Sequence, residues 1–283
     1  MSQATGQPAP TGEQRLSQVV KMLTEVASLV ALATALLYYF GWRRSEVQAR
    51  AFGADASVFG MSTQDYVLRS MDVVLLPVVA LLLIALLTVW VHRQLVQGRR
   101  QRPVGAVLRF SWLLPLVVGV PLLVVAEPAG VVSFPFWFAL AVLGTWYGVA
   151  LRRPTTTGAT TTSMPVLLLL VALVAVCLFW MTERVARVVG EARADEIKAD
   201  VEGTLDQVSV FSAQRLQLGG PEVEETALAD PEAAYRYRYE GLFLLQQSGG
   251  KYFLLTEDWS AGHGRLVVLP DDDSIRLEFG PGR

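Results

Sequence analysis

The chain has two histidines, His92 and His263, and one cysteine, Cys177, among 283 residues. That leaves no histidine-rich metal site and no Cys–His nucleophilic pair, and a single thiol forbids an intramolecular disulfide. Serines are present, but a serine without a spaced base names no nucleophile. Asp271, Asp272 and Asp273 offer oxygen ligands, yet no twelve-residue calcium loop follows them, and a solvated turn is the reading. No cofactor and no enzymatic activity are expected. Lysine is scarce as well: Lys21, Lys198 and Lys251 stand against 21 arginines. Residues 1–182 hold 13 Lys or Arg against 7 acids, and residues 183–283 hold 11 against 19. So acidic a tail lacks the concentrated positive surface that a phosphate backbone demands, which argues against nucleic acid as a partner.

Charge is missing most completely from five runs, Val26 to Trp42, Val73 to Val91, Phe110 to Ala126, Val131 to Leu151 and Val166 to Met181. A helix rises 1.5 Å per residue through a hydrocarbon core about 30 Å thick, so runs of about 17–25 apolar residues predict spanning helices. The composition agrees, with 52% hydrophobic and 18% charged residues, and the mean hydropathy is +0.39. The fold class expected is a membrane α-helical bundle of five transmembrane helices, followed by a small antiparallel β-rich soluble domain. Residues 1–15 read as a disordered lead-in, 16–182 as the bundle, 183–204 as a juxtamembrane helix and 205–283 as the β-domain. Near the ends of the runs stand Tyr38, Tyr39, Trp42, Trp90, Trp112, Trp146, Tyr147 and Trp180, the aromatic belt expected where rings meet headgroups. No ionisable residue stands near the middle of a run, which makes a proton-coupled transporter or ion pump a poor fit. Pro115, Pro121 and Pro135 predict kinks. Ala27, Ala31 and Ala35, and the Gly144-x-x-x-Gly148 pattern, are small faces suited to close helix packing, within one bundle or in a homo-oligomer.

Sidedness follows from Lys and Arg in short loops, which the cytoplasm retains. The stretch from His92 to Arg109 has five arginines and no acid, and Arg152 to Ser163 adds two; Arg43 to Ser70 has four offset by Glu46, Asp55 and Asp65. The N-terminus is thus expected in the cytoplasm and the tail outside it, in the cell membrane.

The Arg43 to Ser70 connection is the most individual part of the membrane half. Glu46 with Arg50, and Asp65 with Arg69, are acid-to-base i,i+4 pairs, which carries the first helix toward Gly53. Ser62 with Asp65 has the spacing of a capping box, and the second spanning helix is expected to begin there, outside the membrane. The hairpin turns between Gly53 and Gly60 and reads as a rigid orienting element or as a contact surface. Together with Tyr39-Phe-Gly-Trp42, Phe52-Gly-Ala-Asp55, Ser62-Thr-Gln-Asp-Tyr66 and Leu68-Arg-Ser70, and with Tyr235-Arg-Tyr-Arg-Tyr239 and Leu269-Pro-Asp-Asp-Asp-Ser-Ile-Arg276 in the tail, it resembles uncharacterised multi-pass integral membrane proteins of actinobacteria. The resemblance implies location and architecture only and transfers no activity and no functional residue.

From Thr182 to about Gly203 the apolar positions recur at three- and four-residue steps, predicting a helix that prolongs the fifth or bends onto the tail. Beyond it, Gln207 to Phe211, Arg215 to Leu218, Tyr235 to Gln247, Lys251 to Thr256, Arg265 to Leu269 and Ser274 to Phe279 read as strands, with Gly249-Gly250 a hairpin turn and Gly219 to Pro231 a long loop. Tyr235, Tyr237 and Tyr239 share a face at period two, as half of a core or as a recognition surface. The candidate interaction residues are Arg43, Arg44, Asp55, Asp65, Arg69, Tyr235, Tyr237 and Tyr239. The function expected is presentation of the β-domain at the extracytoplasmic face to a protein or envelope ligand, with the lipid bilayer as a further partner; the alternative is a channel or transporter subunit.

Overall fold

The computed structural model describes residues 12–97, 110–125, 129–150, 164–218, 222–230, 233–257, 259 and 264–280. Helix α1 (Gly12–Ala51) leads through a 3-10 turn (Ala56–Phe59) into the short α2 (Thr63–Arg69) and then α3 (Met71–Gln97). Ser111–Leu113 forms a 3-10 turn, Pro115–Gly119 a π-helical stretch and Val120–Val125 the short α4. Then come α5 (Ala129–Ala150), α6 (Met164–Ala199) and α7 (Val201–Thr204). Of the expected lead-in, 1–11 lie outside the described residues, and Gly12 to Arg15 already belong to α1.

Among the described residues four helices are long and apolar enough to cross a membrane: Leu16–Ala51, Met71–Trp90, Gly130–Val149 and Met164–Ala199. The expectation of five is corrected at Phe110 to Ala126. Its helical part, Ser111–Val125, rises at most about 22 Å, short of the hydrocarbon thickness. Pro115 and Pro121 explain the break, since each removes an N–H from the ladder and crowds the carbonyl four residues back. The short arm lies antiparallel to α5. Ser111 Oγ donates to the Ala141 carbonyl at 3.0 Å, and the Cα of Gly130 sits so close to Leu122 that a Cβ there would be 2.1 Å from its carbonyl oxygen.

α1 and α6 run parallel. Phe40 meets Phe179 at 5.4 Å, Arg43 reaches Glu183, Gly190 presses on the Arg44 carbonyl, and Phe52 packs with Ala194 and Ile197. α3 returns beside them, with Val73 against Phe40 and Asp72 against Arg44. The lower half of α1 stands clear, with Leu16, Leu23, Leu29 and Leu32 all more than half exposed. Its Ala27, Ala31 and Ala35 face is uncovered by any described residue of this chain.

The tail is a six-stranded antiparallel sheet: β1 (Asp206–Ser212), β2 (Glu224–Ala227), β3 (Tyr237–Ser248), β4 (Lys251–Thr256), β5 (Leu266–Pro270) and β6 (Ile275–Phe279), in the order β5-β4-β3-β1-β6 with β2 on β3. Arg215 to Leu218, expected as a strand, is irregular, and β2 instead falls inside the expected Gly219 to Pro231 loop. Leu216 and Leu218 are apolar because they pack onto the sheet core, not because they pair in it.

Period-two alternation gives the sheet two buried faces. Val208, Val210, Tyr239, Leu242, Leu254 and Leu269 form its own core. On the opposite face Phe243, Leu255 and Trp259 pack with Phe52, Ala194, Ile197 and Val201 from the helix ends, and Phe253 packs with Ala49 and Phe59.

Candidate functional site

The site is the junction at which α1, α2, α6 and the sheet meet. Its floor is set by close helix approach: a Cβ on Gly41 would stand 1.7 Å from the Tyr66 carbonyl oxygen, so only glycine lets α2 cross α1 there. Ser62 forms the expected cap, but on the short α2 and not on the spanning α3: its hydroxyl accepts from the Asp65 N–H at 3.2 Å, and the Asp65 carboxylate accepts from the Ser62 N–H and from the Ser62 hydroxyl, each at 2.8 Å. Those bonds from the Ser62 backbone and hydroxyl hold the Asp65 carboxyl below the usual carboxylate range.

The turn between the helices is held from inside by Glu46. Its Oε2 accepts from the Ala56 N–H at 2.9 Å and its Oε1 pairs with Arg50 at 2.6 Å, with the residue only 5% exposed. So tethered, the turn docks on the sheet of its own chain. Phe59 meets the Phe253 ring edge-on at 4.5 Å and Phe52 meets Trp259 at 5.0 Å. Gly60 lies against the Gly249-Gly250 turn that joins β3 to β4.

The eight candidate residues divide among several places. Arg44 donates to the Arg69 carbonyl at 2.9 Å and pairs with Asp72 at 2.9 Å, while Arg69 donates to Gln246 Oε1 on β3 at 2.7 Å. These two arginines are therefore brought together and tie α1, α2 and the sheet. Burial, then the neighbouring Arg44 charge, lowers the pKa of Arg69. Arg43 turns toward α6, donating to Glu183 at 3.0 Å. Asp65 stays with Ser62. Asp55 is exposed and contributes only its carbonyl, which accepts from the Val58 N–H at 3.0 Å.

The three tyrosines do not form one face. Tyr239 is fully buried, and its hydroxyl accepts from the Leu216 N–H at 2.8 Å; Tyr237 packs on the same core. Burial raises the pKa of Tyr239. Tyr235 precedes the strand and lies 5.5 Å beneath the Arg276 guanidinium. It thus joins a patch on β1, β3 and β6, on the sheet face that docks the helices but beyond the part they cover. There Phe211 is flanked by Arg276 at 5.0 Å and Arg238 at 5.8 Å, with Arg238 paired to Glu240 and Arg276 to Glu278.

In the acidic turn, Asp271 accepts from Tyr252 at 2.6 Å and Gln247 at 2.7 Å, and Asp272 accepts from the Ser274 N–H at 2.9 Å. Among the described residues no group of three or more His, Cys, Asp or Glu side chains is placed to hold a metal ion. His263 lies outside the described residues. Sequence reasoning missed Glu183, Gln246, Trp259 and the inward role of Glu46. Only Glu46 carried a signal, its i,i+4 pairing with Arg50; partners 140 and 177 residues apart carry none.

The architecture is that of a multi-pass helical membrane protein with a β-domain built onto its helix ends. The chain matches no family model, and no curated protein or solved structure is significantly similar to it.

Proposed function

We propose that this chain is a non-enzymatic integral membrane protein that holds its β-domain rigidly at the extracytoplasmic face, where the domain engages a protein or cell-envelope ligand. The observation that carries the reading is the core shared by Phe52, Ala194, Ile197, Phe243, Leu255 and Trp259, which makes helix ends and sheet one body. A flexible tether would serve an enzyme or a diffusing domain; a shared core serves a platform at fixed height. α1 and α6 run one way and α3 and α5 the other, so the return between α3 and α5 falls to the short arm antiparallel to α5. With that passage the N-terminus and the sheet lie on opposite sides, and the arginine-rich stretches at Arg93 to Arg109 and Arg152-Arg153 support the cytoplasm for the former. The engaging surface proposed is the uncovered patch of Phe211, Tyr235, Arg238 and Arg276, aromatic and Arg-rich as contact centres are.

A channel subunit is the weaker reading. The cavity of about 430 Å³ beside the short arm is lined by Trp112, Pro115, Phe138, Ala141, Val142, Thr145, Trp146, Val149 and Leu170, an apolar wall with a single hydroxyl. Photo-crosslinkers placed at Phe211 and at lipid-facing Leu82 in the full chain in cells test the proposal. A discrete adduct at Phe211 and none at Leu82 is expected; equal smears at both, or ion flux from the purified chain in vesicles, would overturn it.

A further inference from the structure

We infer that the groove between α1 and α6, just beyond the aromatic belt, binds the headgroup of an anionic phospholipid in the leaflet on the sheet's side. The helices are parallel and in register there. Tyr39 stacks on Phe179 at 5.2 Å, and four residues later in both helices Arg43 meets Glu183 at 3.0 Å. Phe179 and Trp180 are 40% and 45% exposed, and they stand where acyl chains give way to headgroups. One turn further out three guanidinium groups converge on one carboxylate: Glu183 accepts from Arg43 and, at 3.2 Å, from Arg187, and Arg184 lies 3.9 Å away.

The group therefore carries an excess of two positive charges. The contrast with the other side of α1 is instructive, because Arg44 has Asp72 as its own carboxylate. The side chains of Arg184 and Arg187 remain 30% and 38% exposed, so their terminal nitrogens reach the surface. Their Nε atoms are buried without a hydrogen-bond partner, so Glu183 does not use up the donors of either guanidinium. A lipid phosphodiester is the acceptor that this depth supplies, and planar guanidinium groups recognise it by paired hydrogen bonds. An anionic lipid presents that phosphate without the cationic amine that offsets it in a zwitterionic lipid, so the two uncompensated positive charges favour it. The inference rests on the insertion of the helices in a bilayer and is independent of what the β-domain engages.

The test is lipid binding to the purified full chain in detergent, read by native mass spectrometry, with phosphatidylglycerol, phosphatidylcholine and inorganic phosphate as probes. Phosphatidylglycerol is expected to bind preferentially and to weaken with salt. Each of Arg184→Gln and Arg187→Gln should lower its affinity about fivefold, and Glu183→Gln, which removes the competing carboxylate, should raise it. Arg276→Gln, on the far patch, should leave it unchanged. Equal binding of the two lipids, unchanged preference in the Arg184→Gln and Arg187→Gln chains, or full competition by inorganic phosphate would each overturn the lipid site. The opposite sign expected for Glu183→Gln separates ligand contact from a purely structural role.

Discussion

Adding one methyl group at either residue of the β3–β4 turn separates the docking of the turn on the membrane half from the turn's own geometry. Gly249 and Gly250 both adopt left-handed backbone, with φ of 58° and 68°. An alanine in that region costs about 1–2 kcal/mol whatever surrounds it. At Gly250 nothing lies within 4 Å of the added Cβ, so that cost is the whole effect. At Gly249 the Cβ would fall 2.9 Å from the carbonyl oxygens of both Phe59 and Gly60 and 3.0 Å from the Gly60 Cα. These are backbone atoms that no rotamer change can move, and overpacking of that kind adds about 1–3 kcal/mol. Gly249→Ala should therefore destabilise the full chain by about 2–5 kcal/mol and Gly250→Ala by about 1–2. The excess belongs to the contact between the helical turn and the hairpin. Denaturant unfolding in detergent micelles, followed by loss of β-sheet signal, measures both, and limited proteolysis of the 53–60 turn should quicken only in Gly249→Ala. Equal destabilisation by the two substitutions would refute the docked arrangement.

Gly41→Ala should prevent α2 from seating, since a Cβ 1.7 Å from the Tyr66 oxygen forces the helices apart; gel filtration in detergent should show little monodisperse protein, while Gly53→Ala, with φ +78° but open space, should lose only the backbone cost of about 1–2 kcal/mol and stay monodisperse. Ser62→Ala should cost about 1 kcal/mol through loss of the α2 cap. The partner of that cap titrates with a definite sign: the folded pKa of Asp65 lies below its ordinary 3.8, so its stabilisation is complete above that value and is lost as pH falls through the depressed one. The stability gap between the parent and Asp65→Asn should accordingly be flat from pH 7 to about 5 and close only in stronger acid. Glu46→Ala should cost about 1–3 kcal/mol by leaving the Ala56 N–H buried without an acceptor, and Glu46→Gln, which keeps one, should cost clearly less in the same unfolding titration.

Local patterns carried much of this structure. Uncharged runs located the four long helices because hydrocarbon demands length and apolarity together, and Ser62 with Asp65 located the start of α2 because a cap is a contact over three residues. The Gly249-Gly250 turn was legible for the same reason. The Phe110 to Ala126 run was misread because composition alone counts apolar residues, whereas Pro115 and Pro121 act on the backbone ladder. Arg215 to Leu218 was misread because an apolar stretch packing onto a sheet has the same pattern as one pairing within it. At the junction, Arg69 and Arg44 were picked out as charged residues of an unusual loop, but their partner Gln246 and the Arg43 partner Glu183 are set by tertiary topology, to which no periodicity points.

The shared core also changes what the hairpin at Arg43 to Ser70 is for. As a free loop, its Phe52, Phe59 and Val58 would be an exposed apolar surface seeking a partner; folded, Phe52 and Phe59 are each 3% exposed because the tail of the same chain supplies the partner. Only Val58 remains exposed, at 41%. The converse holds for the tail, whose Phe243, Phe253, Leu255 and Trp259 would return to water if the helices were removed. Each large apolar side chain so uncovered forfeits about 1.5–3 kcal/mol, and four of them together rival the net stability of a small domain. The β5-β4 side of the sheet therefore depends both on the end of α1, about two hundred residues earlier in the chain, and on the end of α6, about fifty residues earlier. Closing that interface joins segments far apart in the chain and so carries a large loop-closure cost. The β1 and β6 side differs, since its inner core of Val208, Val210, Tyr239 and Ile275 is complete without the helices; if the sheet engages a partner as proposed, that is the side left free to do so.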